Sequence, residues 1–280
     1  FEQHISTIPE VTVSKILMLR VVPDAKSSGW KYTVVKQAQI ELPLYGAHLT
    51  QIARMAFDIA TGDLDGDGKD EIFWAGFTNN PSEAAAPYGL RWGVLKLVGN
   101  ALSQLSSGEK PLYALKTVNN PDAVNRCAVA DVDGDGANEL LVYYSHPADH
   151  SLNLAWSKFS PSGVTFQIQQ IAGGSSNPLR EIDLATANLT GTVVPKSPTG
   201  NAVHLVCASN RLNEDPISAA IYVWDQPSGK FKKTSTFNNN VHFSIGAGAL
   251  KLLPGDYTNA GIRLGAPVHI VIEDQITPLV

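Results

Sequence analysis

The chain has 280 residues, of which 44% are hydrophobic and 17% are charged, and its net charge is −5. This composition is typical of a packed globular protein and excludes a disordered chain. Outside two short acidic clusters the charges nearly balance, and no apolar run reaches the roughly 18 residues of a membrane span. We therefore expect no nucleic-acid partner and no membrane span.

The two cysteines, Cys127 and Cys207, are too few for a disulfide framework. We expect buried free thiols, and a single bridge is the alternative. The chain begins at Phe1 without a methionine or a signal peptide, and it ends abruptly on "EDQITPLV". We expect that processing or truncation has removed the true start.

The first predicted elements are two β-strands joined by a Ser-Gly turn, within residues 14–42. A four-strand unit follows: "FDIATGD" leads into an acidic loop, "EIFWAGF" leaves it, "LRWGVLKL" carries a tryptophan and "YALKTV" closes the sheet. Only "NNPSEAAAPYG", residues 79–89, offers a helical turn, and we interpret it as a loop insertion. Helix content should be very low.

This unit recurs along the chain. The acidic stretch "GDLDGDGKDEI" at 62–72 returns as "ADVDGDGANEL" at 130–140, and weaker copies place Asn188 and Asp256 at the first loop position. Trp92, Trp156 and Trp224 mark the third strand of each copy. Repetition with a period of roughly 60 residues is typical of blades, solenoid turns or tandem modules.

Repeated four-stranded units predict an all-β fold, a β-propeller of antiparallel blades that forms one domain over residues 1–280. The predicted blades are 52–120, 124–176, 180–240, and a fourth that combines 14–45 with 249–274. Pairing of the two chain ends would close a four-bladed ring. The competing interpretation is a part of a larger ring of six or seven blades.

Both acidic stretches place carboxylates at alternate positions around two glycines. These carboxylates would repel one another without a cation, and Ca²⁺ takes six to eight oxygen ligands. We predict two calcium sites, each with side-chain ligands at loop positions 1, 3, 5 and 9 and a backbone carbonyl at position 7. The ligands are Asp63, Asp65, Asp67, Glu71 and the Lys69 carbonyl in the first loop, and Asp131, Asp133, Asp135, Glu139 and the Ala137 carbonyl in the second.

An EF-hand has a similar spelling, but it needs a glutamate at position 12 and a helix on each side. Position 12 is Trp74 in one loop and Val142 in the other, and the flanks are strand-like. The third and fourth copies lack the inward carboxylates, because Thr190 replaces an aspartate and Thr258 follows Asp256. We predict a structural role for the calcium and no catalytic one.

The loops "DLDGDGKDE" and "DVDGDGANE", each between two strands, resemble those of FG-GAP/VCBS-type β-propellers, the repeats of integrin α chains and of several secreted lectins and adhesion proteins. "LGAP" at 264–267 is similar to the Gly-Ala-Pro of that family. The resemblance implies the same calcium ligands and an extracellular location, where calcium is at millimolar level. The glycosylation sequon "NLT" at Asn188 agrees with secretion.

Propellers carry many functions, so the fold does not decide between them. We expect a calcium-stabilised module that recognises a glycan, as lectins do, or an extracellular protein, and the sequence leaves a homo-oligomer open. Exposed aromatic residues near loops would serve as ligand contacts, and the competing explanation for each is packing between blades. The candidates are Tyr88, Trp92, Tyr144 and Trp224.

Two other functions remain as alternatives. The chain would be a structural domain of a larger secreted protein or toxin, or a propeller hydrolase or lyase that uses His146, Asp149 and His150 of "HPADH". Two histidines four apart bind metal on a helix, but a loop with Pro147 does not fix that geometry. There is no "GxSxG", "HExxH" or glycine-rich phosphate loop. We expect no enzymatic activity and assign no catalytic residue.

Overall fold

The computed structural model describes residues 2–5, 11–23, 32–46, 57–78, 87–114, 125–146, 149–175, 179–187, 203–211, 218–238, 249–255 and 269–275. Within these ranges the chain forms seventeen β-strands, and no described residue is helical. The prediction of an all-β chain is therefore confirmed for the described part. Residues 79–86, most of the predicted loop insertion, lie outside it.

The strands form three four-stranded antiparallel sheets and two smaller ones. The N-terminal sheet contains β1 (Glu2–Ile5), β2 (Val11–Pro23) and β3 (Tyr32–Gly46). The first full sheet contains β4 (Phe57–Gly62), β5 (Glu71–Thr78), β6 (Pro87–Val98) and β7 (Ala101–Ala114). The second full sheet contains β8 (Asn125–Ala130), β9 (Glu139–Ser145), β10 (Leu152–Lys158) and β11 (Gln167–Ala172). The third full sheet contains β12 (Leu179–Ala187), β13 (His204–Arg211), β14 (Ser218–Asp225) and β15 (Lys230–Asn238). The C-terminal pair contains β16 (Ala249–Gly255) and β17 (His269–Gln275).

Each full sheet pairs its strands in chain order, so the predicted four-strand unit occurs three times. Trp92, Trp156 and Trp224 lie on β6, β10 and β14, the third strand of each sheet, as predicted. Two elements differ from the prediction. Strand β7 begins at Ala101, well before "YALKTV", because a tight turn at Gly99, whose φ is 62°, folds β7 directly back on β6. Strand β1, which we did not predict, pairs with the start of β2.

The middle strand β5 is buried along its whole length from Glu71 to Phe77 because it is covered on both faces. Side chains alternate between the faces of a strand. Phe73 and Phe77 pack against the second full sheet, in a cluster that includes Tyr144, whereas Trp74 packs against Ile16 of the N-terminal sheet. The sheets therefore lie face to face in a series.

The same packing joins the second and third full sheets. Leu141 and Tyr143 of β9 share a buried cluster with Ile182 of β12 and Leu205 of β13. At its outer end Trp156 and Phe231 meet edge to face, with ring centroids 5.3 Å apart. Buried aromatic pairs of this geometry stabilise the contact beyond the area that they cover.

The first strands of successive sheets are neighbours. Strand β4 contacts β8, β8 contacts β12, and β12 contacts β16. The backbone N–H of Cys127 on β8 donates to Asp58 Oδ2 on β4 at 2.8 Å, and Arg126 Nε lies 3.5 Å from Asp183 Oδ1 on β12. These four strands are called the inner strands below. Closure of a ring by pairing of the chain ends stays a prediction, as do the blade boundaries.

The close contact between Gly93 and Trp74 allows a test of the packing. The two residues are paired across β5 and β6, and a Cβ on Gly93 would lie 2.5 Å from Trp74 Nε1. Because Trp74 is fully enclosed, we expect Gly93→Ala to lower the free energy of unfolding by about 1–3 kcal/mol. Chemical denaturation measures this. Gly173→Ala, where a Cβ meets open space, is the control, and equal effects of the two changes would contradict the packing.

Candidate metal centre

The first acidic loop joins β4 to β5 in a hairpin whose last pair is Gly62 with Glu71. The loop turns at Gly66 and Gly68, whose φ angles of 77° and 82° are left-handed and favour glycine. Its equivalent in the second full sheet joins β8 to β9 after the pair Ala130 with Glu139. The predicted position 9 is therefore the first residue of the second strand in both hairpins.

Backbone N–H groups orient the carboxylates of the first loop. Asp63 accepts from Gly66 N at 2.8 Å through Oδ1 and from Gly68 N at 3.0 Å through Oδ2. Glu71 accepts from Leu64 N at 2.9 Å through Oε2. Several carboxylates are thereby held on one side of a short loop, where their charges repel one another.

The buried glutamate is the most informative group of the loop. Glu71 is fully buried, and its Oε1 accepts no hydrogen bond from any described residue. Asp63, Asp65 and Glu71 offer oxygen atoms that all lie within 4.8 Å of one another. A buried carboxylate is costly unless a cation compensates it, and in this structure the ammonium of Lys96 lies 3.1 Å from Glu71 Oε1. This cluster could hold a metal ion.

Sequence analysis missed the basic residue at this site, Lys96 of β6. Its Nζ lies 2.5 Å from Asp65 Oδ2, 2.7 Å from Asp67 Oδ2 and 3.1 Å from Glu71 Oε1, the last without a hydrogen bond. The hydrogen bond from Lys96 lowers the pKa of Asp67. The hydrogen bonds to Asp65 and Asp67 in turn raise the pKa of Lys96.

The second loop repeats this geometry. Asp131 Oδ1 accepts from Gly134 N at 2.7 Å and its Oδ2 from Gly136 N at 2.9 Å. Glu139 Oε2 accepts from Val132 N at 2.9 Å, and its Oε1 accepts no hydrogen bond within the described part of the chain. The oxygens that could hold a metal ion belong to Asp131, Asp133 and Glu139.

A lysine of the third strand again faces the loop. Lys158 Nζ lies 2.9 Å from Asp133 Oδ2 and 3.8 Å from Glu139 Oε1, and it also bonds Asp135 Oδ2. Burial lowers the pKa of Lys158, but its bonds to Asp133 and Asp135 outweigh this effect and the pKa is raised. Burial, with the charges of Asp133 and Asp135 acting in the same direction, raises the pKa of Glu139 to about 7.

The structure thus brings together three of the four predicted carboxylates in each loop. Asp67 and Asp135, at position 5, lie outside the three-carboxylate groups, and they bond the same lysines that Asp65 and Asp133 contact. The backbone N–H groups of Lys69 and Ala137 donate to these aspartates at 3.0 Å. The roles of the Lys69 and Ala137 carbonyls, and of calcium itself, stay predictions.

The third hairpin has neither the buried glutamate nor the lysine opposite it. His204 pairs with Ala187 and therefore occupies the position of Glu71 and Glu139. Val223 follows Tyr222, the partner of Leu205, and therefore lies opposite His204. This is the position that the lysines occupy in the other two full sheets. The loop residues Asn188 and Thr190 lie outside the described residues, as do Asp256, Thr258 and "LGAP" of the fourth copy.

The predicted aromatic ligand contacts are wrong for two residues. Trp92 is 5% exposed and Tyr144 is 1% exposed, because both lie in the core between the first and second full sheets. Trp224 is partly buried and packs edge to face on Trp156. The competing explanation, packing between sheets, is correct for them. The side chain of Tyr88 lies outside the described residues.

The described residues of "HPADH" are His146, Asp149 and His150, and they contact one another. His146 Nδ1 lies 3.3 Å from Asp149 Oδ1, and the backbone N–H of His150 donates to the His146 carbonyl at 2.8 Å. His150 has a φ of 55°, in the left-handed region that is uncommon for residues other than glycine. The structure therefore brings His146 and Asp149 together. The absence of enzymatic activity stays a prediction.

Comparison with models of protein families found no match, and comparison with curated proteins found no significant one. The described residues include no helix that is long and apolar enough to cross a membrane.

Both cysteines are free and buried, as predicted. Burial raises the pKa of the Cys127 thiol well above its usual value.

A side chain of the second acidic loop forms a hydrogen bond to the backbone of the first acidic loop. Asn138 Nδ2 donates to the Asp63 carbonyl at 2.8 Å, across two neighbouring sheets. We expect Asn138→Ala to lower the free energy of unfolding by about 1 kcal/mol, because a partly buried carbonyl loses its donor. Chemical denaturation of the calcium-free chain measures the change. The control is Gln170→Ala, which removes an exposed hydrogen bond and should cost less than about 0.5 kcal/mol. Equal costs would show that the two loops are not joined in this way.

Proposed function

We propose that the chain is a calcium-stabilised, extracellular β-propeller of the FG-GAP/VCBS type that serves as a binding module for a glycan or a protein surface. The observation that carries the proposal is the pair of matching hairpin loops, each of which gathers three carboxylates around a buried glutamate whose Oε1 is paired with a lysine ammonium. Ca²⁺ accepts an all-oxygen, irregular ligand set of this kind.

The propeller part of the proposal is supported by the arrangement of the sheets. Three units of four strands follow one another with their faces in contact, and their first strands are neighbours. Strand β16 continues that series beside β12. In a propeller the first strands surround a central axis, so a ring formed by the whole chain would accommodate these contacts.

The two loops lie at the same end of neighbouring inner strands, and the bond from Asn138 to Asp63 joins them. A bound cation in each loop would therefore fix two adjacent hairpins and make this end of the sheets rigid. Rigid elements lose little conformational freedom when they bind a partner. This end is the proposed binding surface, and the resemblance to secreted lectins and adhesion proteins supports a glycan or an extracellular protein as its ligand.

Calorimetry with Ca²⁺ tests the metal sites. We expect two ions per wild-type chain at millimolar calcium, and one ion for Glu71→Gln or for Glu139→Gln, since each substitution removes the buried charge of one loop. A site filled at about 100 times its dissociation constant adds about 2.7 kcal/mol to the stability, so the melting temperature should rise with calcium. Mg²⁺ is the comparison ion, because it demands a stricter octahedral geometry. No heat and no rise in melting temperature would contradict the proposal.

Glycan-array binding with and without EDTA tests the ligand. We expect a sugar-specific signal that chelation abolishes and that the double variant Glu71→Gln/Glu139→Gln loses. A domain that is stabilised by calcium but gives no signal on the array or with extracellular proteins would favour the structural domain of a larger secreted protein. The Gln170→Ala variant at saturating calcium is the matched control, because it keeps all ten predicted ligands and the bond from Asn138 to Asp63.

A further inference from the structure

Lys96 and Lys158 occupy equivalent places in two repeats. Lys158 pairs with Glu139 across β9 and β10. Lys96 is one residue beyond the pair of Ile72 with Leu95, and it therefore stands opposite Glu71. Along the chain the two lysines lie at different distances from the tryptophans of their strands. What they share is their position opposite the glutamate on the neighbouring strand.

Each loop carboxylate in contact with Lys96 uses one oxygen for the backbone and turns the other towards the ammonium. Asp65 accepts from Asp67 N through Oδ1, and Asp67 from Lys69 N through Oδ1. Glu71 accepts from Leu64 N through Oε2. The remaining oxygens, Oδ2 of both aspartates and Oε1 of Glu71, face Lys96 Nζ at 2.5 to 3.1 Å.

The second loop divides its oxygens in the same way. Asp133 and Asp135 accept backbone N–H groups through Oδ1, and Glu139 accepts one through Oε2. Their other oxygens face Lys158 Nζ. In both loops the ammonium is therefore in contact with the oxygens that the backbone leaves for a cation.

The third full sheet agrees with a link between the glutamate and the lysine. Where the glutamate is replaced by His204, the opposite residue is Val223 and not a lysine. A lysine that served only solubility would not depend on the glutamate. The lysine is present in the two described hairpins that carry the carboxylates and absent from the third.

We infer that Lys96 and Lys158 are built-in competitors of the metal, each of which neutralises its loop in the calcium-free chain and is displaced when Ca²⁺ binds. This inference rests on the proposed calcium sites. The ammonium holds the loop in its folded shape without calcium, and it weakens the affinity so that the site fills only where calcium is abundant. The lysines thus determine the calcium concentration to which the domain responds.

Substitution of the lysines tests the competition by calorimetry. We expect Lys96→Met to bind calcium at the first site about tenfold more tightly than the wild type, because a unit charge about 5 Å from a divalent ion opposes binding by roughly that factor even in a water-like dielectric. Without calcium the same variant should melt at a lower temperature, since its carboxylates lose their counter-charge. Lys158→Met should do the same at the second site. Lys96→Arg keeps the charge and Lys232→Met removes an exposed lysine of β15, so both should retain the wild-type affinity.

Chemical modification of the wild-type chain gives a test that needs no variant. Limited acetylation followed by mass spectrometry measures how accessible each lysine amine is. We expect the acetylation rates of Lys96 and Lys158 to rise on addition of Ca²⁺, with Lys232 unchanged. If the wild type binds calcium but neither the rates nor the affinity of Lys96→Met changes, the competition is refuted and the calcium sites stand. If the wild type binds no calcium, the proposed function itself fails.

Discussion

The structure depends on a buried charged side chain, the glutamate that begins the second strand of each acidic hairpin. Glu71 and Glu139 are enclosed between sheets, where an ionised carboxylate is costly unless it is paired. One oxygen of each is satisfied by a backbone N–H of the loop, and the other faces a lysine ammonium. The glutamate therefore links the shape of the loop, the adjacent strand and the need for a cation.

The alignment of neighbouring inner strands places these hairpins side by side. Equivalent positions before each loop carry Asp58, Arg126, Asp183 and Lys251, so that acidic and basic residues alternate from β4 to β16. Asp58 accepts the Cys127 N–H of the next strand, and Arg126 pairs with Asp183. Opposite charges on neighbouring strands favour one alignment and penalise a slip by one residue. The loops that follow these strands consequently emerge at the same level.

The fold was predictable from the sequence where the signal is local. Alternating apolar residues predict the strands, and the spelling of the two loops predicts the hairpins around Gly66 and Gly134. Lys96 and Lys158 could not be predicted, because their importance depends on strand register and not on spacing along the chain. The prediction of aromatic ligand contacts was wrong for a related reason. A tryptophan that is near a loop in the sequence, such as Trp92, lies inside the core once two sheets pack face to face. The early start of β7 had a local signal in the Gly99 turn.

The degenerate third hairpin indicates what the predicted metal sites would contribute. Its strands pair and pack like those of the other full sheets, although His204 and Val223 have replaced the carboxylate and the lysine. Four strands can therefore form such a sheet without an acidic loop, because the apolar contacts between sheets supply the driving force. A cation bound by either acidic loop would then act on the hairpin end of a sheet whose core is already formed. A chain that keeps two acidic loops on adjacent sheets, joined by Asn138, concentrates that effect at one place on its surface.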